Sequence, residues 1–190
     1  MCNVCNVAVA QQQEYQKLIA IKLSPHRTPL TVDRSNNTSW SPPPRGAWKI
    51  NVDDHLSSDG HWFSGLLLRR PNGSVVGATT RSHMGSLDAT FGEAMSLSDA
   101  LDFVAKYQAT YVIFEMDSQV FVNAVKKKKT KVRRDWGFVI ERCVNFLRNN
   151  PNLSINWINR KGNRVAHVLA RWAEESPNKD WPNCVPSVSN

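Results

Sequence analysis

The chain contains no run of about 18 apolar residues, the length a helix needs to cross a bilayer, so no membrane span is expected. Its first residues lack the basic stretch and apolar core of a secretory signal. Cysteine is scarce, with four in 190 residues. Cys2, Cys5, Cys143 and Cys184 are too few and too scattered for a disulfide scaffold. Cys2-x-x-Cys5 has the spacing of half a zinc site, but no second Cys or His pair follows nearby, and the spacing is read as chance. These absences predict a reducing, intracellular location, in nucleus or cytoplasm. Acidic residues are also in short supply, 16 against 24 Lys and Arg, for a net charge of +8. That balance favours an anionic partner such as nucleic acid, although a solubilising surface would carry the same charge. There is no internal repeat.

What is present divides the chain. Residues 1–45 hold Gln11–Gln13, a weakly helical stretch to about Leu23, polar residues, and then Pro42-Pro43-Pro44, which favours a stiff extended linker. This region is expected to lie mostly outside the core. A folded domain is expected over 46–176, and a C-terminal tail over 177–190. In A-W-K-I-N-V-D, Trp48, Ile50 and Val52 alternate with Lys49, Asn51 and Asp53, the period of a strand. A second strand over Trp62–Arg70 turns at Pro71-Asn72-Gly73 into a third over Ser74–Thr80, giving an antiparallel hairpin. From Thr90 to Gln108 the period becomes helical, with Ala94, Leu97, Leu101, Val104 and Ala105 on one face. Tyr111-Val112-Ile113-Phe114 reads as a strand buried on both sides. Ser118 can cap a helix to about Lys128, and another is expected over Asp135–Asn149 with Trp136, Ile140, Cys143 and Leu147 inward. A fifth strand over Leu153–Ile158 and a last helix over Asn163–Glu175 complete the order β-β-β-α-β-α-α-β-α. The class is α/β, a five-stranded mixed sheet flanked by helices.

Three acids fall at telling places. Asp53 lies at or near the end of the first strand, and Asp117 ends the fourth. If those strands are parallel neighbours, both acids meet where ligands gather in open α/β sheets. Glu93 lies in the first turn of the helix between them. Each has a plainer account. Glu93 follows Thr90 at capping-box spacing. Asp117-Ser118 suits an ordinary strand-to-helix turn. Asp53, with Asp54 beside it, could simply be solvated. Grouped in one cleft, however, three carboxylates repel one another and persist only if cations bind between them. Oxygen donors of this kind suit Mg²⁺ or Mn²⁺. His167 raises a related question. It stands in N-R-V-A-H-V-L-A-R, in or near the first turn of a helix with Asn163 as N-cap, a poor place for a protonated imidazole.

W-K-I-N-V-D, G-E-A-M-S-L-S-D-A-L, M-D-S-Q and N-R-V-A-H-V-L-A resemble, in order and spacing, the type-1 ribonuclease H family, most of all the plant branch related to retroelement reverse transcriptases. The resemblance covers roughly residues 47–175. It implies the ribonuclease H-like fold and cleavage of the RNA strand of RNA–DNA hybrids with two divalent ions, Mg²⁺ or Mn²⁺. The metal ligands it implies are Asp53, Glu93 and Asp117, and Gln119 in D-S-Q resembles a residue that contacts the minor groove of the substrate. Two departures stand out. The first Asp is often followed by Gly in the family but here by Asp54 and His55. A fourth carboxylate of many members falls where this chain has His167, as plant relatives often do. By that resemblance Asp53 would bridge two ions, Glu93 and Asp117 would hold one of them, and His167 would serve the other or pass a proton to the leaving 3′ oxygen. Nitrogen ligation suits Mn²⁺ better than Mg²⁺, so reduced or Mn²⁺-favoured activity is expected.

Lys126, Lys127, Lys128, Lys129, Lys131, Arg133 and Arg134 form a dense basic run between two helices. It is open to three readings: phosphate contact, a solvated loop, or a nuclear-import signal. The family often carries a basic protrusion near this place. The first functional reading is therefore a monomeric endonuclease acting on RNA–DNA hybrids. The second is a non-catalytic nucleic-acid-binding domain derived from a retroelement. The third is a 3′–5′ exonuclease of the same fold, against which the hairpin-first order and D-S-Q both speak.

Overall fold

The computed structural model describes residues 40–127 and 137–184. Six strands form one sheet: β1 (Trp48–Leu56), β2 (His61–Arg69), β3 (Val75–Met84), β4 (Val112–Met116), β5 (Leu153–Trp157) and β6 (Asp180–Pro182). Four helices cover it: α1 (Ala89–Ala105), α2 (Gln119–Lys126), α3 (Gly137–Asn149) and α4 (Arg164–Trp172). The strands lie side by side in the order β5-β4-β1-β2-β3-β6. β1 pairs antiparallel with β2, and β4 runs parallel to both β1 and β5. The expected mixed sheet is therefore present with one addition. β6 falls in the stretch expected to be a tail and pairs with β3 over Gly77↔Pro182, Ala78↔Trp181 and Thr79↔Asp180. Three residues are too few to show a period, so this strand had no sequence signal.

One face of the sheet carries the main core. Ile50, Val52, Leu66, Leu68 and Phe114 pack there against Leu97, Leu101 and Phe103 of α1, Phe121 of α2, and Ile140 and Cys143 of α3. Ala105, expected on the buried stripe of α1, is exposed, and Phe103 is buried instead. Tyr111 is 57% exposed, outside the strand it was expected to begin. On the other face, α4 packs over a small core of Leu67, Ala78, Val165 and Leu169.

Where α4 stops covering, the sheet is polar and still buried. Lys49 forms an ion pair with Glu115 at 2.6 Å. Asn51 donates from Nδ2 to Glu115 Oε2 at 3.0 Å, and its Oδ1 accepts from Arg69 Nη1 at 2.9 Å and Trp40 Nε1 at 3.1 Å. Trp40, 4% exposed, forms the lid, with the Arg69 guanidinium 4.4 Å from its ring centroid. Trp40, which belongs to the stretch expected to lie mostly outside the core, is thus packed onto the sheet. Lys49, Asn51 and Asp53, the polar half of the β1 alternation, are buried too.

Candidate functional site

β1 and β4 bring two acids together directly. Their parallel register runs through Asn51↔Glu115. Carried two residues further, it sets Asp53 beside Asp117, which follows the last residue of β4; β1 was expected to end at or near Asp53 but runs on to Leu56, because its pairing with β2 continues after that with β4 has stopped. β1 is also where the sheet changes direction, with a parallel neighbour on one side and an antiparallel one on the other, the kind of crevice that ligands occupy. Trp157 at the end of β5 steadies Asp117 by donating from Nε1 to its carbonyl at 3.0 Å.

α4 delivers His167. Asn163 precedes the helix but its side chain makes no capping bond; its Nδ2 donates instead to Val52 O at 2.8 Å, pinning the helix start one residue from Asp53. Gly65, the β2 partner of Asp53, lets the helix come close. A Cβ there would stand 2.2 Å from the backbone nitrogen of Ala170 and 2.5 Å from the carbonyl of Ala166. His167 Nδ1 then lies 2.8 Å from Asp53 Oδ2, with the Asp53 side chain 3% exposed. A carboxylate only accepts, so a hydrogen bond between the Asp53 carboxylate and Nδ1 needs its proton on Nδ1.

Arg160, in the loop before α4, joins the group. Its Nη1 donates to Asp117 Oδ2 at 3.1 Å, and its Nη2 lies 3.0 Å from His167 Nδ1. The arginine side chain is 63% exposed and free to swing, whereas that of Asp117 is 9% exposed.

Glu93 enters from α1, as the fifth residue of the helix and not in the first turn expected for it, because the helix starts at Ala89. Asp88 is the N-cap of that helix and accepts from Thr90 N at 2.9 Å, so Thr90 is not a cap and the capping-box account of Glu93 fails. Burial pushes the Glu93 carboxyl up to about 9, helped by repulsion from Asp54, Asp117 and Asp53 and opposed by a hydrogen bond from Ser118. Asp117 is pushed up to about 6 by burial first and then by Asp53, with Arg160 pulling the other way. Asp54 rises to about 8, through burial and then the charges of Asp53 and Asp117. The structure thus brings Asp53, Glu93, Asp117 and His167 together and adds Asp54 and Arg160.

Neither addition was foreseen. Adjacent residues of a strand face opposite sides, and only the position of α1 shows that Asp54 meets an acid there. For Arg160 the sequence carries no spacing signal. Gln119 is exposed as the first residue of α2, next to its N-cap Ser118. Lys126 and Lys127 end that helix, roughly 10 Å further along its axis. Lys126 donates to Asn156 Oδ1 at 3.0 Å. Lys128, Lys129, Lys131, Arg133, Arg134 and Trp136 lie outside the described residues, as do Cys2 and Cys5.

Among the described residues no three His, Cys, Asp or Glu side chains already surround a common point fit for an ion. The donor chemistry nevertheless suits one. Carboxylates from two strands and a helix are held close enough to raise one another's proton affinity, and a divalent cation relieves that repulsion.

A mixed sheet with this strand order, an acid within its first strand beside another just past its fourth, and a helix on the opposite face define a ribonuclease H-like domain. A family model described as reverse transcriptase-like matches residues 52–173, and the chain belongs to that family. Among solved structures, RNase H1 from the halophilic archaeon Halobacterium salinarum is similar at 20% identity and TM-score 0.61, over 68% of this chain and 98% of that one. LC11-RNase H1, isolated from compost by a metagenomic approach, is similar at 19% identity and TM-score 0.60, over 68% and 96%. The same protein in complex with an RNA/DNA hybrid matches at 17% identity and TM-score 0.56, over 64% and 92%. These likenesses establish the fold. No curated protein sequence matches the chain.

Proposed function

We propose that the domain binds RNA–DNA hybrids and hydrolyses their RNA strand with divalent metal ions, Mn²⁺ serving better than Mg²⁺. The observation that carries this reading is the convergence of Asp53, Glu93 and Asp117 with His167 where the pairing of β1 with β4 ends. Asp53, Glu93 and Asp117 would hold the ions, which when bound supply an activated water and neutralise charge on the leaving oxygen. His167, oriented through Nδ1 by Asp53, presents Nε2 as the group that would first take up a proton from solvent and then give that proton to the leaving 3′ oxygen. Arg160 is close enough to exchange its contact with Asp117 for a substrate phosphate. Gln119, exposed at the start of α2, would face the minor groove, where 2′-hydroxyls distinguish RNA from DNA. Membership of the plant, retroelement-related branch is part of the same proposal.

A second reading, a binding domain without catalysis, is favoured by one observation. Asp53 is engaged by His167, and the guanidinium of Arg160 spans Asp117 and His167. An end-labelled RNA–DNA hybrid separates the two, with single-stranded RNA and duplex RNA as controls. The nuclease reading expects internal cuts in the RNA of the hybrid only. Retention of intact hybrid at every metal concentration would leave the binding reading.

A further inference from the structure

We infer that the outer edge of β5 is a docking groove for an extended peptide, apolar at alternate residues and acidic at its ends, that adds to the sheet as a further strand. The groove uses none of the acids of the site above, so it stands whether or not the domain cuts RNA.

β5 is the last strand on its side of the sheet and pairs with β4 alone among the described residues. A cavity of 330 Å³ lies against it, close to the roughly 300 Å³ at which ligand pockets begin. Leu153, Ser154, Ile155 and Asn156 all line it. Alternate residues of a strand face opposite sides, so a cavity touched by consecutive ones runs along the strand's edge. Val144 and Leu147 of α3 form the facing wall. The backbone at this edge is open. Val112 N donates to Asn152 O at 3.3 Å and Ile158 N to Met116 O at 2.9 Å, which turns the even-numbered residues of the stretch toward β4. The odd-numbered ones turn outward. Ile155 N–H and C=O and Trp157 N–H thus have no backbone partner among the described residues.

A row of unpaired backbone groups beside apolar side chains is what an incoming strand completes. Main-chain hydrogen bonds supply affinity, and the apolar wall takes alternate side chains. Charge selects among strands. Lys126 reaches the carboxyl end of β5, donating to Asn156 Oδ1 at 3.0 Å, and Arg148 lies in the last turn of α3, which leads into the start of β5. Both line the cavity, no acid among the described residues does, and Arg148 meets the neutral Asn145 Oδ1 at 3.4 Å. Acidic residues at the two ends of the bound segment answer these cations. A second copy of the chain would bring the same cations and a net charge of +8 to the edge, which disfavours it. A nucleic-acid strand would use the cations but leave the apolar wall and the backbone donor and acceptor bare.

The test uses the full chain and one probe, the peptide acetyl-Glu-Val-Thr-Val-Thr-Val-Glu-amide, followed by NMR through the backbone amides of β5. The peptide should bind with a Kd of ~1 mM or tighter and slow hydrogen exchange at the Ile155 and Trp157 amides. A version N-methylated at every peptide bond, and so without donors, should do neither. In the double variant Lys126→Glu, Arg148→Glu, whose melting temperature should stay near that of wild type because both side chains are exposed, the preference should reverse. The Glu-ended peptide should lose roughly tenfold, the scale of two exposed ion pairs, and a Lys-ended one should gain. A Glu-ended peptide that leaves the β5 amides unmoved at several millimolar would overturn the inference. Equal binding by the N-methylated peptide, or an unreversed preference in the double variant, would do the same. A single-stranded oligonucleotide that moves these amides where the peptide does not would make the groove a phosphate contact and also overturn it.

Discussion

Asp54, Glu93 and Asp117 hold their protons more tightly in the folded chain than their ordinary values of 3.8 and 4.5 allow. The sign of their effect follows. For a carboxyl raised on folding, the stability contribution is full below the unfolded value and is lost as pH rises through the folded one. In chelator, wild type should therefore lose stability from about pH 4 toward about pH 9. Glu93→Gln, which mimics the protonated form, should melt near wild type at pH 5 and above it at pH 8.5, by an amount on the order of a few kcal/mol. Thermal melts at the two pH values check this, and equal curves for both proteins would contradict it. His167→Asp is expected to do the opposite. It replaces the partner of Asp53 with another negative charge, so the metal-free protein should melt lower at pH 7 and Mg²⁺ should restore it. Cleavage supported by Mg²⁺ should rise relative to that supported by Mn²⁺. Unchanged metal preference in His167→Asp, with His167→Ala cutting like wild type, would remove His167 from the site.

At the scale of elements, the site depends on how closely α4 meets the sheet. Gly65→Ala puts a methyl group against the backbone of Ala166 and Ala170, which cannot rotate away as a side chain can. The helix must shift, at a cost of ~1–3 kcal/mol or more, and His167 moves with it. A lower melting temperature together with weaker Mn²⁺ binding is expected, and a stable variant with unchanged binding would show that α4 does not set the geometry. This dependence also explains what was legible beforehand. Asp117 could be singled out because it follows a readable strand, and the parallel pairing of β1 with β4 brings Asp53 to it, although β1 runs on past Asp53 and Glu93 lies one turn further into its helix than expected. His167 could be placed on its helix. Its contact with Asp53 could not, because it depends on Gly65 opposite Asp53 and on Asn163 reaching Val52. Trp40 was hidden for a different reason. The prolines after it read as a linker, and nothing local shows that an indole covers the buried pair of Lys49 and Glu115.

For the whole molecule, charge and fold make separate contributions. The excess of basic residues attracts any polyanion, so replacing Lys126–Lys129 with Ala should weaken hybrid binding and lower the slope of log affinity against log salt, since fewer counterions are released. Fluorescence anisotropy at several salt concentrations measures this. An unchanged slope would point to the import reading of that run. The acids gathered beside Asp53 and Asp117 repel a polyanion, and the proposed nuclease function gives them a role that binding alone does not. The most direct test is single-turnover cleavage of an end-labelled RNA–DNA hybrid in Mn²⁺, with wild type beside Asp53→Asn at matched hybrid occupancy. The account predicts internal cuts in the RNA strand by wild type and a loss of at least about a hundredfold in Asp53→Asn, the scale of one transition-state charge contact. Equal rates in the two proteins, or an uncut hybrid bound by both, would contradict it.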